Sequence, residues 1–131
     1  MMRRSLISTG AITALFLSAL LHAAAAPSSV VDAAMQGNKD AVRTLLKSGA
    51  DVNTAQGDGM TALHWAAQKG DLDLAQTLLY AGANVRATTR IGGYTPLLIA
   101  SRNGHADVVA ALLASGADPN LTTSNGATAL M

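Results

Sequence analysis

The chain has 131 residues, which limits it to one small domain. Half of its residues are hydrophobic but only 3% are aromatic, so alanine and leucine supply the apolar mass and predict closely packed short helices. Nine basic residues against eight acidic ones leave no basic stripe for binding nucleic acid, and the absence of cysteine excludes disulfides and thiolate chemistry.

The first 25 residues have the three-part layout of a secretory signal peptide. Arg3 and Arg4 form a positive start, an uncharged apolar run extends from Leu6 to Leu21, and small residues up to Ala25 mark a cleavage site. The run is short for a membrane span, where about 20 residues are usual. An uncleaved anchor or a buried helix is the alternative. We expect cleavage after Ala25, by the general secretion route rather than the twin-arginine route. The mature protein would then be periplasmic or secreted and free of the membrane.

The mature part, residues 26–131, repeats itself at offsets of 33 and 34 residues. Gly37, Gly70 and Gly104 mark equivalent positions, and an apolar pattern runs from each to a Leu-Leu pair and a second glycine. A period of this size predicts stacked helix-turn-helix units, each of which covers the apolar face of its neighbour. The repeats are expected at 27–57, 58–91 and 92–124, with a partial fourth at 125–131.

Each unit carries signals for two helices. The glycine suits a left-handed backbone at the end of the first helix, and Asn38 and Asp71 are good caps for the second helix. Alanine pairs such as Ala66-Ala67 on the first helix would let neighbouring repeats approach closely. An aspartate falls in the first turn of each second helix, where negative charge suits the helix dipole: Asp40, Asp73 and Asp107.

The segment Thr61–Ala67 resembles the Thr-Pro-Leu-His-x-Ala-Ala signature of the ankyrin repeat, with Ala62 in place of proline. Thr95–Ala100 resembles it again, with Leu98 in place of the histidine. The resemblance covers residues 27–131. It implies an all-α solenoid, an L-shaped stack of about three helix pairs plus a truncated fourth repeat, with hairpin-like loops projecting to one side.

Departures from the repeat pattern are as informative as the repeats. The loop at Arg90–Gly93 carries one extra residue, so its hairpin should protrude or deform. The fourth copy stops at Met131, which favours a fragment or a truncated product. The alternative is that another chain covers this uncapped C-terminal end, which includes self-association of two copies. Four apolar residues of the third repeat should then be poorly covered on one side: Leu97, Val108, Leu112 and Leu113.

No arrangement of residues for catalysis, cofactor binding or metal binding stands out. The resemblance implies that His64 hydrogen-bonds the loop of an adjacent repeat, and His105 is too distant in sequence to suggest a zinc site. Asp71 and Asp73 are better explained as helix cap and dipole partner than as an acid–base pair, and Trp65 as packing between repeats. We therefore expect no enzymatic activity, no cofactor and no metal.

What remains is the concave surface that the resemblance implies, built from loop tips and exposed positions of the first helices. Tyr94 and Arg102 are the expected anchors, because these residue types often carry binding energy. The leading hypothesis is an exported bacterial module that binds a partner protein; the alternative is the recognition part of a longer effector or enzyme. The projected face also includes Ala55, Asp58, Thr122, Ser124 and Asn125. The candidate partner-binding residues are Met60, Gln68, Lys69, Arg90, Ile91, Tyr94, Arg102 and Asn103.

Overall fold

The computed structural model describes residues 26–129, and the predicted signal peptide lies outside them. Within this range the chain forms six α-helices in three helix-turn-helix pairs, and its one extended pairing is an isolated bridge between Thr122 and Thr128. The predicted all-α stack of about three repeats is confirmed. The helices are α1 (Val30–Met35), α2 (Lys39–Lys47), α3 (Ala62–Lys69), α4 (Leu72–Tyr80), α5 (Pro96–Arg102) and α6 (Ala106–Ala114).

The helices form an inner and an outer layer. The inner helix α3 contacts both α1 and α5, each inner helix packs on the outer helix that follows it, and α4 packs on α6. The inner layer is lined by alanines without solvent exposure, and this confirms their predicted role in close packing. These alanines are Ala33, Ala34, Ala66, Ala67 and Ala100.

Side-chain caps begin five of these six helices, including the two predicted caps at Asn38 and Asp71, whereas α6 begins without one. Asn38 and Asp71 each accept a backbone N–H at 3.1 Å at the start of α2 and α4. At the start of α3, the Thr61 hydroxyl accepts the backbone N–H of His64, and the His64 ring accepts the backbone N–H of Thr61. Gly70 ends α3 with φ of 66°, a left-handed conformation that costs other residues strain.

One apolar core runs through all three repeats. Its largest members are leucines that are almost completely excluded from solvent, and each such burial contributes about 1.5–3 kcal/mol. Because a single helix pair has too little apolar surface to fold alone, the core makes the repeats depend on one another. These leucines are Leu63, Leu74, Leu78, Leu97 and Leu112.

Ion pairs join the outer helices of the first two repeats. Lys39 Nζ lies 3.5 Å from Asp71 Oδ2 and 3.4 Å from Asp73 Oδ2, and Arg43 Nη2 lies 2.9 Å from Asp73 Oδ2. Exposed pairs of this kind contribute at most about 1 kcal/mol each. They nevertheless link Lys39 and Arg43 to Asp71 and Asp73, which gives Asp73 partners in addition to the dipole of its own helix.

The expectation of poor coverage is wrong for three of the four apolar residues of the third repeat, Leu97, Val108 and Leu112, which are at most 1% exposed. Val108 and Leu112 correspond to Ala41 and Leu45 of the first repeat, which are only half-buried. The same repeat positions are therefore more buried when another helix pair precedes them in the stack. It follows that Val108 and Leu112 face the second repeat. Leu113 alone of the four is exposed, at 42%.

Replacing Ala66 by leucine tests the close packing of the inner helices. Because Ala66 is fully buried in the inner layer, three added carbons must force the helices apart. We expect the free energy of unfolding to fall by about 1–3 kcal/mol, measured by urea denaturation followed by circular dichroism. The control is Ala110→Leu on the exposed side of α6, where the change should stay within about 0.5 kcal/mol. Equal losses in the two variants would contradict close packing.

Candidate functional site

Three hairpin-like loops precede the inner-helix positions, and their hydrogen bonds reveal the inserted residue. The Gln56 N–H donates to the Met60 carbonyl at 2.9 Å, and the Thr123 N–H donates to the Ala127 carbonyl at 2.8 Å, so each of these bonds spans four residues. In the middle loop the Thr89 N–H donates to the Tyr94 carbonyl at 3.0 Å, five residues away. The predicted one-residue insertion therefore enlarges this hairpin.

The three hairpins are joined to one another by backbone hydrogen bonds. The Arg90 N–H donates to the Asp58 carbonyl, and the Ser124 N–H donates to the Gly92 carbonyl, both at 2.8 Å. Each donor follows the first residue of its hairpin, and each acceptor precedes a glycine with positive φ, so the contact recurs at equivalent positions. These bonds hold the hairpins side by side as one wall of the concave surface.

Thr89 accommodates the extra residue of the middle hairpin. Its hydroxyl donates to the Ile91 carbonyl at 2.8 Å and accepts the Tyr94 N–H at 3.0 Å, which closes the loop from inside. The Ile91 carbonyl and the Tyr94 N–H are paired in this way, whereas the Ile91 side chain projects to solvent and is 86% exposed. The insertion thus presents a large apolar side chain at the tip of the hairpin.

Gly92 leaves room for the ring of Tyr94. A Cβ at Gly92 would lie 2.4 Å from Tyr94 Cε2, and the φ of this glycine is 84°. Both its backbone conformation and the space around it therefore require glycine. The ring of Tyr94 lies against the loop backbone, while part of its side chain packs against the apolar core.

Tyr94 and Arg102, the two predicted anchors, contact each other. Arg102 Nη1 donates to the Tyr94 hydroxyl at 2.7 Å, and Arg102 Cζ lies 5.1 Å from the centroid of the ring. A guanidinium over an aromatic face is attracted by about 0.5–1 kcal/mol at an exposed site. The hydrogen bond and the stacking together orient the arginine on the concave surface.

A groove of about 440 Å³ lies between the hairpin wall and the inner helices of the second and third repeats. It brings together six of the eight predicted residues, whereas Lys69 and Arg90 are exposed and do not line it. The sequence did not single out Thr89 and Ile99. Ile99 occupies the position in the third repeat that Trp65 occupies in the second. This equivalence was the sequence signal that could have drawn attention to Ile99. The lining residues are Asp58, Met60, Gln68, Thr89, Ile91, Tyr94, Ile99, Arg102 and Asn103.

A second hollow of about 290 Å³ lies on the other side of the Tyr94–Arg102 pair. Both residues line both hollows, so the pair forms a ridge between them. The second hollow reaches the last of the three hairpins, which belongs to the partial fourth repeat, and the projected residue Asn125 contributes to its wall. Its other lining residues are Leu98, Thr123, Ala127 and Thr128.

His64 connects the core to this site, and its predicted bond to the adjacent repeat is confirmed. Nδ1 lies 3.1 Å from the Thr61 nitrogen and 2.8 Å from its hydroxyl, while Nε2 donates to the Tyr94 carbonyl at 2.9 Å. Because Nδ1 accepts the Thr61 N–H, the ring is the neutral tautomer protonated at Nε2. Burial lowers the pKa of His64 below 6.5, opposed by its hydrogen bonds to backbone groups, so the neutral form persists.

The other residues weighed for chemistry have structural partners. Trp65 Nε1 donates to Gln56 Oε1 at 3.0 Å, and the indole packs against the core. His105 precedes α6 and packs closely over Gly70. Within residues 26–129, His and Asp side chains form no group of three that could hold a metal ion. No helix in the same range is long and apolar enough to cross a membrane.

Gly92→Ala tests whether this glycine holds the Tyr94 ring in position. The variant adds both backbone strain and a clash, whereas Gly82→Ala, the control, adds strain of about 1–2 kcal/mol at a similar φ with open space around the Cβ. We expect Gly92→Ala to lower the melting temperature more and to shift the aromatic NMR signals of Tyr94. Equal melting temperatures with unshifted Tyr94 signals would argue against the contact.

Lowering the pH tests the neutral His64. The unfolded state binds a proton near pH 6.5, and the folded state binds it only at lower pH, so the unfolded state holds more protons in between. The free energy of unfolding should therefore fall as the pH drops below about 6.5.

His64→Leu should flatten this dependence and cost about 1–3 kcal/mol at neutral pH, because it leaves the Thr61 N–H without its acceptor and removes one of the two hydrogen bonds to the Tyr94 carbonyl. Leucine fits this position, since Leu98 is buried at the equivalent place. Urea denaturation across the pH range measures both effects. If His64→Leu kept the wild-type slope, His64 would not be its source.

Comparison with known protein families agrees with this architecture. The family model described as ankyrin repeats (3 copies) matches residues 12–89 and 30–123. The two matches together include all six helices and the groove, and the first match begins within the predicted signal peptide. No curated protein matches the chain. The chain belongs to the ankyrin repeat family.

Proposed function

We propose that this chain is a non-enzymatic binding module that docks a partner protein in the groove between its second and third repeats. Ankyrin repeats are in general protein–protein interaction modules, and the family is typically non-enzymatic. The groove supports such a role because hydrogen bonds between repeats fix its walls before a partner arrives. Preorganisation of this kind reduces the entropy lost on binding.

The observation that carries the proposal is the grouping of binding-prone side chains around the Tyr94–Arg102 pair. Ile91 exposes a large apolar surface at the hairpin tip, and Met60 and Ile99 line the same groove. Aromatic residues, arginine and methionine are enriched in protein interfaces, and a central cluster of them usually carries most of the binding energy. A protein segment therefore suits this groove better than nucleic acid, for which phosphate contacts would need several basic side chains.

We further propose that the binding module acts outside the cytoplasm, as a periplasmic or secreted protein made with a signal peptide of residues 1–25. The support is the order of charged, apolar and small residues at the N-terminus. Mass spectrometry of the protein recovered from the producing cells tests this proposal. A mature N-terminus at Ala26 would support it, and a protein retaining its first residues inside the cells would contradict it.

Partner capture with a double variant tests the groove. Ile91→Ser combined with Arg102→Gln removes an exposed apolar surface and a charge; both side chains are exposed, so the melting temperature should change little. Tyr94 is unsuitable for truncation because it also packs against the core. Captured partner, measured by quantitative mass spectrometry at limiting bait, should fall at least about 10-fold, as expected when hot spots are lost.

The matched control is Tyr80→Ser combined with Arg86→Gln, which removes an apolar surface and a charge outside the groove. Tyr80 is 97% exposed on the outer helix α4, and Arg86 is exposed in the following loop. The control should capture the partner like wild type. If the groove variant also captured the partner at the wild-type level, the groove would not be the binding site.

A further inference from the structure

The chemistry of the groove specifies its partner more closely, and the starting point is the charge of Arg102. The salt bridges in residues 26–129 involve Lys39 and Arg43 on the outer helices, and none involves Arg102. Among the described residues, its guanidinium donates a hydrogen bond only to the Tyr94 hydroxyl. Four of the five guanidinium N–H groups therefore remain for a ligand, on a cation that the ring below has already oriented.

Three backbone donors of the hairpin wall are already occupied within the stack. The Met60 N–H donates to Asp58 Oδ1, the Arg90 N–H donates to the Asp58 carbonyl, and the Tyr94 N–H donates to Thr89 Oγ1. Among the side chains that line the groove, Arg102 is the one cation, and its planar fork matches a single carboxylate with two parallel hydrogen bonds.

Asp58 limits the number of negative charges that the groove accepts. Its carboxylate lines the same groove as Arg102, and it repels a second acid or a doubly charged phosphate. Met60, Ile91 and Ile99 supply the apolar part of the lining. One carboxylate beside an apolar side chain therefore complements the groove, whereas a run of acids does not.

From these features we infer that the groove binds an extended peptide segment of a partner protein in which one aspartate or glutamate lies next to a large apolar residue. The carboxylate pairs with Arg102, and the apolar side chain packs between Met60 and Ile91. The Gln68 side chain and the side-chain oxygen of Asn103 remain to pair with the backbone of the segment, since Asn103 Nδ2 already donates to the Gln68 carbonyl. This inference rests on the proposed function and adds the chemical class of its partner.

Selection from a phage-displayed library of random 12-residue peptides, with the full chain immobilised, tests the inference. Peptides that bind wild type should be enriched in one Asp or Glu adjacent or nearly adjacent to a large apolar residue. Their binding should be lost on Ile91→Ser and retained on Arg86→Gln, the control that removes an exposed arginine elsewhere. Selection on Arg102→Glu should enrich lysine or arginine at the acidic position instead.

A synthetic version of a selected peptide gives the quantitative test. Changing its acid to the amide should weaken binding at least about 10-fold on wild type but less than about 3-fold on Arg102→Gln, which isolates the pair as a double-mutant cycle. Fluorescence anisotropy measures both dissociation constants. The charge pair is also supported if Arg102→Glu binds a peptide whose acid is replaced by lysine.

The failures of the two proposals are distinguishable. Two results would overturn this inference and leave the groove as the binding site. One is a set of peptides that depend on Ile91 but show no enrichment in Asp or Glu. The other is a peptide whose change from acid to amide weakens binding equally on wild type and on Arg102→Gln. A selection whose binders are all insensitive to both Ile91→Ser and Arg102→Gln, or that yields no binder, would overturn the inference together with the proposed function.

Discussion

The structure depends on how closely the inner helices approach one another. Fully buried alanines such as Ala66 and Ala100 bring α1, α3 and α5 together, and this spacing sets where every hairpin stands. Larger side chains would separate the repeats and break the hydrogen bonds that join Asp58 to Arg90 and Gly92 to Ser124. The groove is therefore a consequence of repeat spacing, since its walls come from different repeats.

His64 links the packing of the core to the position of the hairpin at the surface. It belongs to the second repeat, yet it bonds to the carbonyl of Tyr94, whose side chain orients Arg102 in the third repeat. The same carbonyl accepts the N–H of Thr89, so the enlarged hairpin is held at its base from two sides. A partner would meet a preformed surface, and the binding energy need not be spent on ordering a loop.

Much of the fold could be predicted from the sequence because the repeat period, the capping residues and the alanine pairs act locally and recur. The bond from His64 to the next repeat followed from the family resemblance. Most of the candidate groove was also predictable, since exposed positions of a repeat map onto one face. The prediction was wrong for Leu97, Val108 and Leu112, because sequence spacing marks an apolar position without saying which neighbouring repeat covers it.

The geometry of individual side-chain contacts could not be predicted from the sequence. Neither the hydroxyl of Thr89 closing the inserted loop nor the stacking of Arg102 on Tyr94 follows from residue types, because both depend on side-chain direction after insertion of one residue. Lys69 and Arg90 have suitable chemistry but lie outside the groove lining, since exposure alone does not direct a side chain into a concavity.

A rigid groove at the Tyr94–Arg102 pair should bind the partner without rearrangement of the stack. Titration of the isotope-labelled chain with a bound peptide, followed by backbone amide NMR shifts, is the sharpest test of this rigid docking. The shifts should be confined to Asp58–Met60, Gln68–Lys69, Thr89–Tyr94 and Arg102–Asn103, with the outer helices unchanged. Shifts centred on the outer helices around Tyr80, or spread through the stack, would contradict it.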